Sequence, residues 1–204
     1  MPDRASHWQN VYTTKAETEV SWYQDDPATS LRMIREAGAT AASRIIDIGG
    51  GASRLVDALL AAGYGALSVL DISDAALATA RGRLGAAAAG VTWIASDVTT
   101  WTPDARYDVW HDRAAFHFLT APEDRAAYVD RLRAAVVPGG AVIIGTFAPD
   151  GPEKCSGLPI VRYDAHGLAA TLGPAFTLED SCTEAHRTPW GATQQFQFCR
   201  FRAG

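Results

Sequence analysis

Apolar and polar positions alternate along this chain in a regular way. Residues 44–48 form a short apolar run that closes on Gly49-Gly50-Gly51, the pattern of a buried strand meeting a turn. Leu55, Leu59 and Leu60 then recur at helical spacing over 53–62, and Gly63 stops that helix. A second strand is predicted over 66–70. A helix follows over 74–84, with Ser73 or Asp74 as its natural N-cap. Residues 91–95 and 107–111 read as strands three and four. Thr120-x-x-Glu123 has the form of a capping box with Pro122 in the first turn, and the helix it opens runs to about Val136. Pro138-Gly139-Gly140 is expected to end that helix and launch strand five over 141–147. A last helix is expected over 164–172. Two strands, 176–185 and 193–201, are joined around Pro189-Trp190-Gly191. The connection is too short for a crossover helix, so this closing pair must be antiparallel.

Strand and helix thus alternate five times before a final hairpin. The expected fold is α/β: a doubly wound, Rossmann-like seven-stranded sheet, mostly parallel with an antiparallel last strand and helices on both faces. Residues 1–40 stand apart. They are aromatic and polar (Trp8, Tyr12, Trp22, Tyr23), are punctuated by Asp25-Asp26-Pro27, and include a short helix with Ser30 near its cap and Gly38 at its end. The expected organisation is an N-terminal helical lid over 1–40 and one α/β domain over 41–204.

Composition narrows the picture. At 204 residues the chain suits one domain with a short appendage. The formal charge of −5 gives no basic footprint for nucleic acid or for an anionic membrane. No apolar run approaches a membrane span, and Met1-Pro2-Asp3-Arg4 opens no signal peptide. Cys155, Cys182 and Cys199 are odd in number and widely spaced, which argues against a disulfide framework or a zinc knuckle, and no resident metal is expected. The cytoplasm is the expected compartment.

Ligands of doubly wound sheets bind beyond the carboxyl ends of the strands, near the switch point. Three signals stand there. Asp47-x-Gly49-Gly50-Gly51 follows strand one, where glycines permit a tight turn and a close approach to a ligand. Asp71 ends strand two, 20 residues past Gly51, where a carboxylate can accept both ribose hydroxyls. Asp97 ends strand three, positioned to accept an adenine amine, with Val98 and Ile72 available to cover the ring faces. One glycine or one acid after a strand is commonly only a turn or a cap. Three such signals at successive strand ends point to a nucleoside cofactor. The G-x-G-x-x-G/A frame of a dinucleotide site places Arg54 where a small residue is needed, and the lysine of a phosphate-binding loop is missing.

Asp47-x-Gly49-x-Gly51 with Asp71 and Asp97 resembles the class I S-adenosylmethionine-dependent methyltransferases. The resemblance implies that Asp47, Gly49, Gly50 and Gly51 lie near the methionine part of that cofactor, that Asp71 holds the ribose, and that Asp97 and Val98 hold the adenine. Ser53-Arg54-Leu55, Gly63-Tyr64 and Trp22-Tyr23 are similar to the branch that contains protein lysine methyltransferases. That likeness implies a lid role for Trp22 and Tyr23, extended to Trp8 and Tyr12; plain core packing is the competing account of these rings. The segment after strand four, Trp110-His111-Asp112-Arg113-Ala114-Ala115-Phe116-His117, lacks the Asn/Asp-Pro-Pro-Tyr/Phe of enzymes that methylate bases or glutamine. It shares only Asp112 with the Asp-Lys-Gly-Thr-x-Asp of the lysine branch. Its Trp-Asp-Arg character is nearer to small-molecule thiol methyltransferases, with His111 inserted.

The resulting expectation is methyl transfer by in-line displacement to the O, N or S of a small molecule, with a protein lysine as the alternative acceptor. A module that only senses the cofactor and a nicotinamide-dependent reductase are the remaining rivals. His111 and His117 are the candidate bases if the nucleophile arrives protonated, each weighed against a buried, hydrogen-bonded histidine, and Asp112 is a candidate orienting group. Cys155, in the loop after strand five, is either a soft substrate contact or a bystander thiol. Cys155, Cys182 and His186 are a remote candidate for a metalloid site. Arg187 is weighed between an anionic substrate and solvent.

Overall fold

The structure is a computed structural model and describes residues 4–204. Its main sheet contains β1 (Arg44–Ile48), β2 (Ala66–Asp71), β3 (Val91–Ala95), β4 (Tyr107–Arg113) and β5 (Val136–Phe147). A small ribbon, β6 (Lys154–Cys155) and β7 (Leu158–Pro159), follows, and the hairpin of β8 (Phe176–Arg187) and β9 (Thr193–Ala203) closes the chain. The seven strands lie in the order β3-β2-β1-β4-β5-β9-β8. The first five are parallel. β9 runs antiparallel to both β5 and β8, so the last strand of the chain lies inside the sheet and β8 forms its edge.

Six helices surround the sheet: α1 (Arg4–Thr14), α2 (Ala28–Glu36), α3 (Leu55–Ala61), α4 (Asp74–Leu84), α5 (Pro122–Ala135) and α6 (Ala165–Leu172). Side chains of a strand alternate between faces, and the central strands are apolar on both. Ile46, Ile48, Trp110, Val142 and Ile144 meet Tyr128 and Leu132 of α5 and Leu168 of α6 on one face. Ile45, Val109, Ile143 and Phe198 meet Met33 and Ile34 of α2 and Leu55 and Leu59 of α3 on the other. Chain order reverses between β1 and β4, so the crevice at the sheet's carboxyl edge opens beside β1. Among the described residues no helix is long and apolar enough to cross a membrane.

Four local expectations are corrected. Ser30 caps nothing. α2 starts after Pro27, and Ser30 is buried inside its first turn. Thr120 does not form a capping box: Ala121 is the N-cap without a side-chain bond, and α5 relies on Pro122 at its first turn and on Glu123 and Asp124 against the helix dipole. Pro138-Gly139-Gly140 lies within β5, which begins at Val136. The register there shifts between Tyr107 and Val109 of β4, and such a bulge tolerates a proline. Finally, β4 extends two residues past His111, to Arg113.

Packing on the β9 side leaves no spare volume. A Cβ on Gly145 of β5 would lie 2.8 Å from the fully buried Phe198 ring. Gly145→Ala is expected to cost about 1–3 kcal/mol of stability through overpacking. Urea unfolding checks this; an unchanged midpoint would mean that the two strands separate without cost.

Candidate active site

The β1–α3 turn forms the floor of the crevice. The N–H groups of Gly49 and Gly50 both donate to the Leu70 carbonyl, at 2.7 and 3.3 Å, folding the turn against β2. Gly49 sits at φ 65° and Gly51 at φ 36°, in the left-handed region. Space also demands glycine. A Cβ on Gly49 would fall 2.6 Å from Ala115 Cβ, and one on Gly51 would fall 2.6 Å from Asp71 Oδ2. One on Gly50 would fall 2.5 Å from Asp47 Oδ2.

Two adjoining cavities open above this turn. The first, about 740 Å³ including the space open to solvent, is bordered by Gly49, Asp71, Ile72, Asp97 and Val98 and by Trp8, Tyr12, Trp22, Arg113, Phe118 and Cys155. The second, about 560 Å³, reaches Asp47, Gly50, Tyr23 and His111. Tyr12, Trp22, Gly49 and Arg113 border both.

Asp71 is buried, and its Oδ1 accepts the Ser73 N–H at 2.8 Å. Burial, reinforced by the Asp47 charge, raises its pKa from the usual carboxylate range to about 7. Asp97 accepts the Thr99 N–H and hydroxyl on Oδ1, at 2.8 and 2.7 Å, and pairs with Arg4 of α1 on Oδ2 at 3.1 Å. Arg4 also pairs with Asp124 at 3.1 Å. Further along α1, Gln9 Oε1 accepts the Ser73 hydroxyl and the Ala75 N–H, at 3.0 and 3.2 Å. These bonds hold α1 across the first cavity. Trp8 packs edge-on to Trp22 and Phe118, and Trp22 Nε1 donates to the Tyr12 hydroxyl at 3.1 Å. Tyr23 borders only the second cavity, where its hydroxyl donates to Asp25 at 3.1 Å.

The three residues expected at the chemistry are placed differently. His111 is buried beside the second cavity with both ring nitrogens engaged: Nδ1 donates to Asp47 Oδ1 at 2.7 Å and Nε2 accepts from the Ser30 hydroxyl at 2.8 Å. A carboxylate only accepts, which sets these directions. The chain Ser30–His111–Asp47 has the composition of a hydrolytic triad, but its serine, at the edge of the second cavity, is almost fully buried within the first turn of α2. Asp112 points to the opposite face of the sheet, behind the cavity wall. Its Oδ1 accepts the Ala115 and Phe116 N–H groups, and its Oδ2 accepts the Tyr128 hydroxyl at 2.8 Å; that hydroxyl accepts from Trp110 Nε1 at 2.8 Å. Burial still raises its pKa to about 6. His117 lies between Phe118 and Phe147 and borders neither cavity. Burial and the nearby Arg113 charge push its pKa down to about 3. A base at the cavity is therefore not what Asp112 and His117 provide. Among the described residues no group of three metal-ligating side chains comes together, so Cys155, Cys182 and His186 make no such cluster. Arg187 is exposed.

Sequence reasoning missed Arg4 and Phe118 and did not place Arg113 at the site. Arg4 carries no local signal, since its partners lie 93 and 120 residues away. Arg113 was findable once β4 is read to its true end, because the last residue of a parallel strand faces the crevice.

Residues 45–140 match the protein family described as "Methyltransferase domain". Over that stretch the chain carries a methyltransferase domain. S-adenosylmethionine is its cofactor, and the arrangement of Gly49–Gly51 against Asp71 and Asp47 fits it, because a buried carboxylate and close backbone stand where a Cβ would fill the cradle. Solved structures share the fold. The methyltransferase superposes on the N-methyltransferase NodS of Bradyrhizobium japonicum WM9, determined with S-adenosylhomocysteine, at TM-score 0.72 and 17% identity, over 98% of this chain and 99% of that one. For the 1,6-didemethyltoxoflavin-N1-methyltransferase of Burkholderia thailandensis the TM-score is 0.69 at 20% identity, over 98% and 83% of the chains. For a protein concerned with conversion of a disulfide bond into a thioacetal group during echinomycin biosynthesis it is 0.80 at 18%, over 98% and 92%. No curated protein sequence matches the chain.

The Trp110–Tyr128–Asp112 chain holds the turn behind the cavity. Tyr128→Phe leaves a buried carboxylate oxygen and a buried indole N–H without their partner and is expected to destabilise the methyltransferase by about 1–3 kcal/mol. Urea unfolding at neutral pH checks it; wild-type stability in the variant would show that the chain carries no net energy.

Proposed function

We propose that the methyltransferase transfers a methyl group from S-adenosylmethionine to an O, N or S nucleophile of a small molecule. The observation that carries this reading is the first cavity itself. Its lining combines the carboxylates of Asp71 and Asp97 with the rings of Trp8, Tyr12, Trp22 and Phe118. When bound, the cofactor supplies a methyl group on a sulfonium, open to in-line displacement with the electron pair leaving to sulfur.

The chain's own residues bind, orient and exclude water. We assign Asp71 to the ribose hydroxyls, with Ile72 beside it, and Asp97 and Val98 to the adenine end. Asp97 also anchors the lid there through Arg4. Asp47 and the backbone of Gly49, Gly50 and Gly51 face the methionine part, with Trp22 and Tyr23 above it. His111 positions Asp47 rather than moving a proton. Residues 1–40 act as a lid on the 41–204 domain, supported by Arg4 and Gln9 of α1, which bond to Asp97, Asp124, Ser73 and Ala75. With His117 held neutral away from the cavities and Asp112 fully engaged, the acceptor is one that is nucleophilic without an imidazole base. At saturating S-adenosylmethionine, where protonation of Asp71 no longer limits binding, kcat is expected to show no limb from His117.

A protein lysine is the weaker reading. The carboxylates bordering the first cavity are Asp71 and Asp97, both assigned to the cofactor, and the remaining lining offers aromatic rings and a guanidinium, which repels an ammonium. Three unpaired thiols accord with a reducing cytoplasm.

Calorimetric titration tests the assignment. S-adenosylmethionine and S-adenosylhomocysteine are expected to bind while NAD does not. Asp71 accepts hydroxyl hydrogens only as the carboxylate, so protonation below its pKa of about 7 opposes binding. Affinity for S-adenosylhomocysteine should fall roughly tenfold between pH 8 and pH 6. Asp71→Asn should bind more weakly at pH 8, by more than about 1 kcal/mol, and lose the pH dependence. Equal affinity in Asp71→Asn and wild type would refute the ribose assignment.

A further inference from the structure

Arg113 is nearly buried and less satisfied than the buried polar groups beside it on β4. It ends β4 and borders both cavities. Its side chain retains 11% exposure. Of the five N–H donors of a guanidinium, one has a well-formed bond: Nη1 donates to the Trp22 carbonyl at 2.9 Å. Nε and Nη2 are buried without a hydrogen-bond partner. The nearest carboxylate, Glu184, lies 3.9 Å from Nη2, beyond hydrogen-bond reach, and already accepts from Gln24 at 2.8 Å. The guanidinium carbon stands 4.4 Å from the centre of the Phe196 ring, so one face is covered by an aromatic surface.

Two further observations bear on how this cation is set in the fold. Arg113 helps to depress the pKa of both His117 and His186, as a nearby cation does. The next residue, Ala114, adopts φ 68°, a left-handed conformation costly for a residue with a Cβ, and its N–H is tied to the Gly145 carbonyl at 2.8 Å. The strained turn fixes the end of β4 against the cavity. A buried, half-satisfied guanidinium is costly unless an anion completes it, and its planar fork matches a carboxylate or another delocalised anion.

We propose that Arg113 recognises an anionic group of the methyl acceptor, a carboxylate or a deprotonated phenol or thiol on a planar ring that packs against Trp8, Trp22 and Phe118. The proposal rests on the reading of the cavity as an S-adenosylmethionine site and names the acceptor class for it. An anion between Arg113 and the sulfonium end of the cavity offsets two cations that would otherwise share one enclosed space. It also accounts for the missing base, since an acceptor bound as an anion needs none.

The other source of the same chemistry is the carboxylate of the cofactor, and the experiment separates the two. The full chain, saturated with S-adenosylhomocysteine, is titrated with benzoate, salicylate and thiophenolate and with neutral benzamide, following fluorescence of the tryptophans at the cavity. At least one anion is expected to bind about tenfold or more tightly than benzamide. Arg113→Gln should abolish that preference while S-adenosylhomocysteine affinity stays within roughly threefold of wild type. Arg113→Lys, which keeps the charge and loses the fork, should retain part of the preference and provides the variant if Arg113→Gln does not fold. The absence of any anion preference in the wild type would overturn the proposal without a variant. A tenfold or larger loss of S-adenosylhomocysteine affinity in Arg113→Gln would assign the guanidinium to the cofactor instead and overturn it as well. Failure of S-adenosylhomocysteine to bind the wild type would overturn the underlying reading, a result distinct from both.

Discussion

Close approach of backbone to carboxylate at the β1–α3 turn is the constraint around which the site is built. Single methyl groups on Gly49, Gly50 or Gly51 would strike Ala115, Asp47 or Asp71. Three neighbours contributed by β1, β2 and the turn after β4 therefore press on one three-residue segment. The N–H groups of Gly49 and Gly50 lock it further by sharing the Leu70 carbonyl. With no room for side chains, the turn brings main chain and carboxylates to the crevice, and the ends of the central strands are held at fixed separation around it. Every other feature of the site is arranged relative to that seam.

Charge is the second organising element. The carboxyl edge of the sheet buries Asp47, Asp71, Asp112, His111 and Arg113 close together, although ionised groups resist removal from water. Most are paired within the fold: Asp47 with His111, His111 with Ser30, and Asp112 with Tyr128 and two backbone N–H groups. His111 and Asp112 are scaffolding, since their bonding capacity is spent within the fold. Asp71 and Arg113 at the first cavity, and Asp47 at the second with one oxygen engaged, have capacity left over. Satisfaction of hydrogen bonds thus sorts supporting residues from those able to receive a ligand.

The N-terminal segment completes the enclosure by a different physics. α1 has one buried residue, Val11, and little apolar surface of its own to anchor it. It is held by polar ties at its ends, Arg4 to Asp97 and Asp124 and Gln9 to α4, while Trp8 and Tyr12 contribute to the cavity wall. Part-buried ion pairs of this kind contribute modest stability each, so α1 is attached less firmly than the apolar layers on either side of the sheet.

The sequence by itself determined most strands and helices of the α/β domain and the glycine turn with acids at the strand ends, because those are written in short-range chemistry. Periodicity marks β1 to β5 and their helices, Ser73 caps α4 and Asp164 caps α6, and the glycine turn and the acids at strand ends must stand where backbone geometry needs them. Local signals misled where a tertiary partner outbid them: Ser30 turned inward to His111 instead of capping α2, and Pro138 was absorbed into a bulge of β5. Only the tertiary structure decided what each polar side chain does. His111, Asp112 and His117 look alike as candidates in the sequence. Alternation along β4 sends His111 and Asp112 to opposite faces, and the turn beyond packs His117 beneath Phe147. Arg113 and Arg4 gain their roles from partners 71 to 120 residues away, and contacts across that distance leave no trace in local pattern.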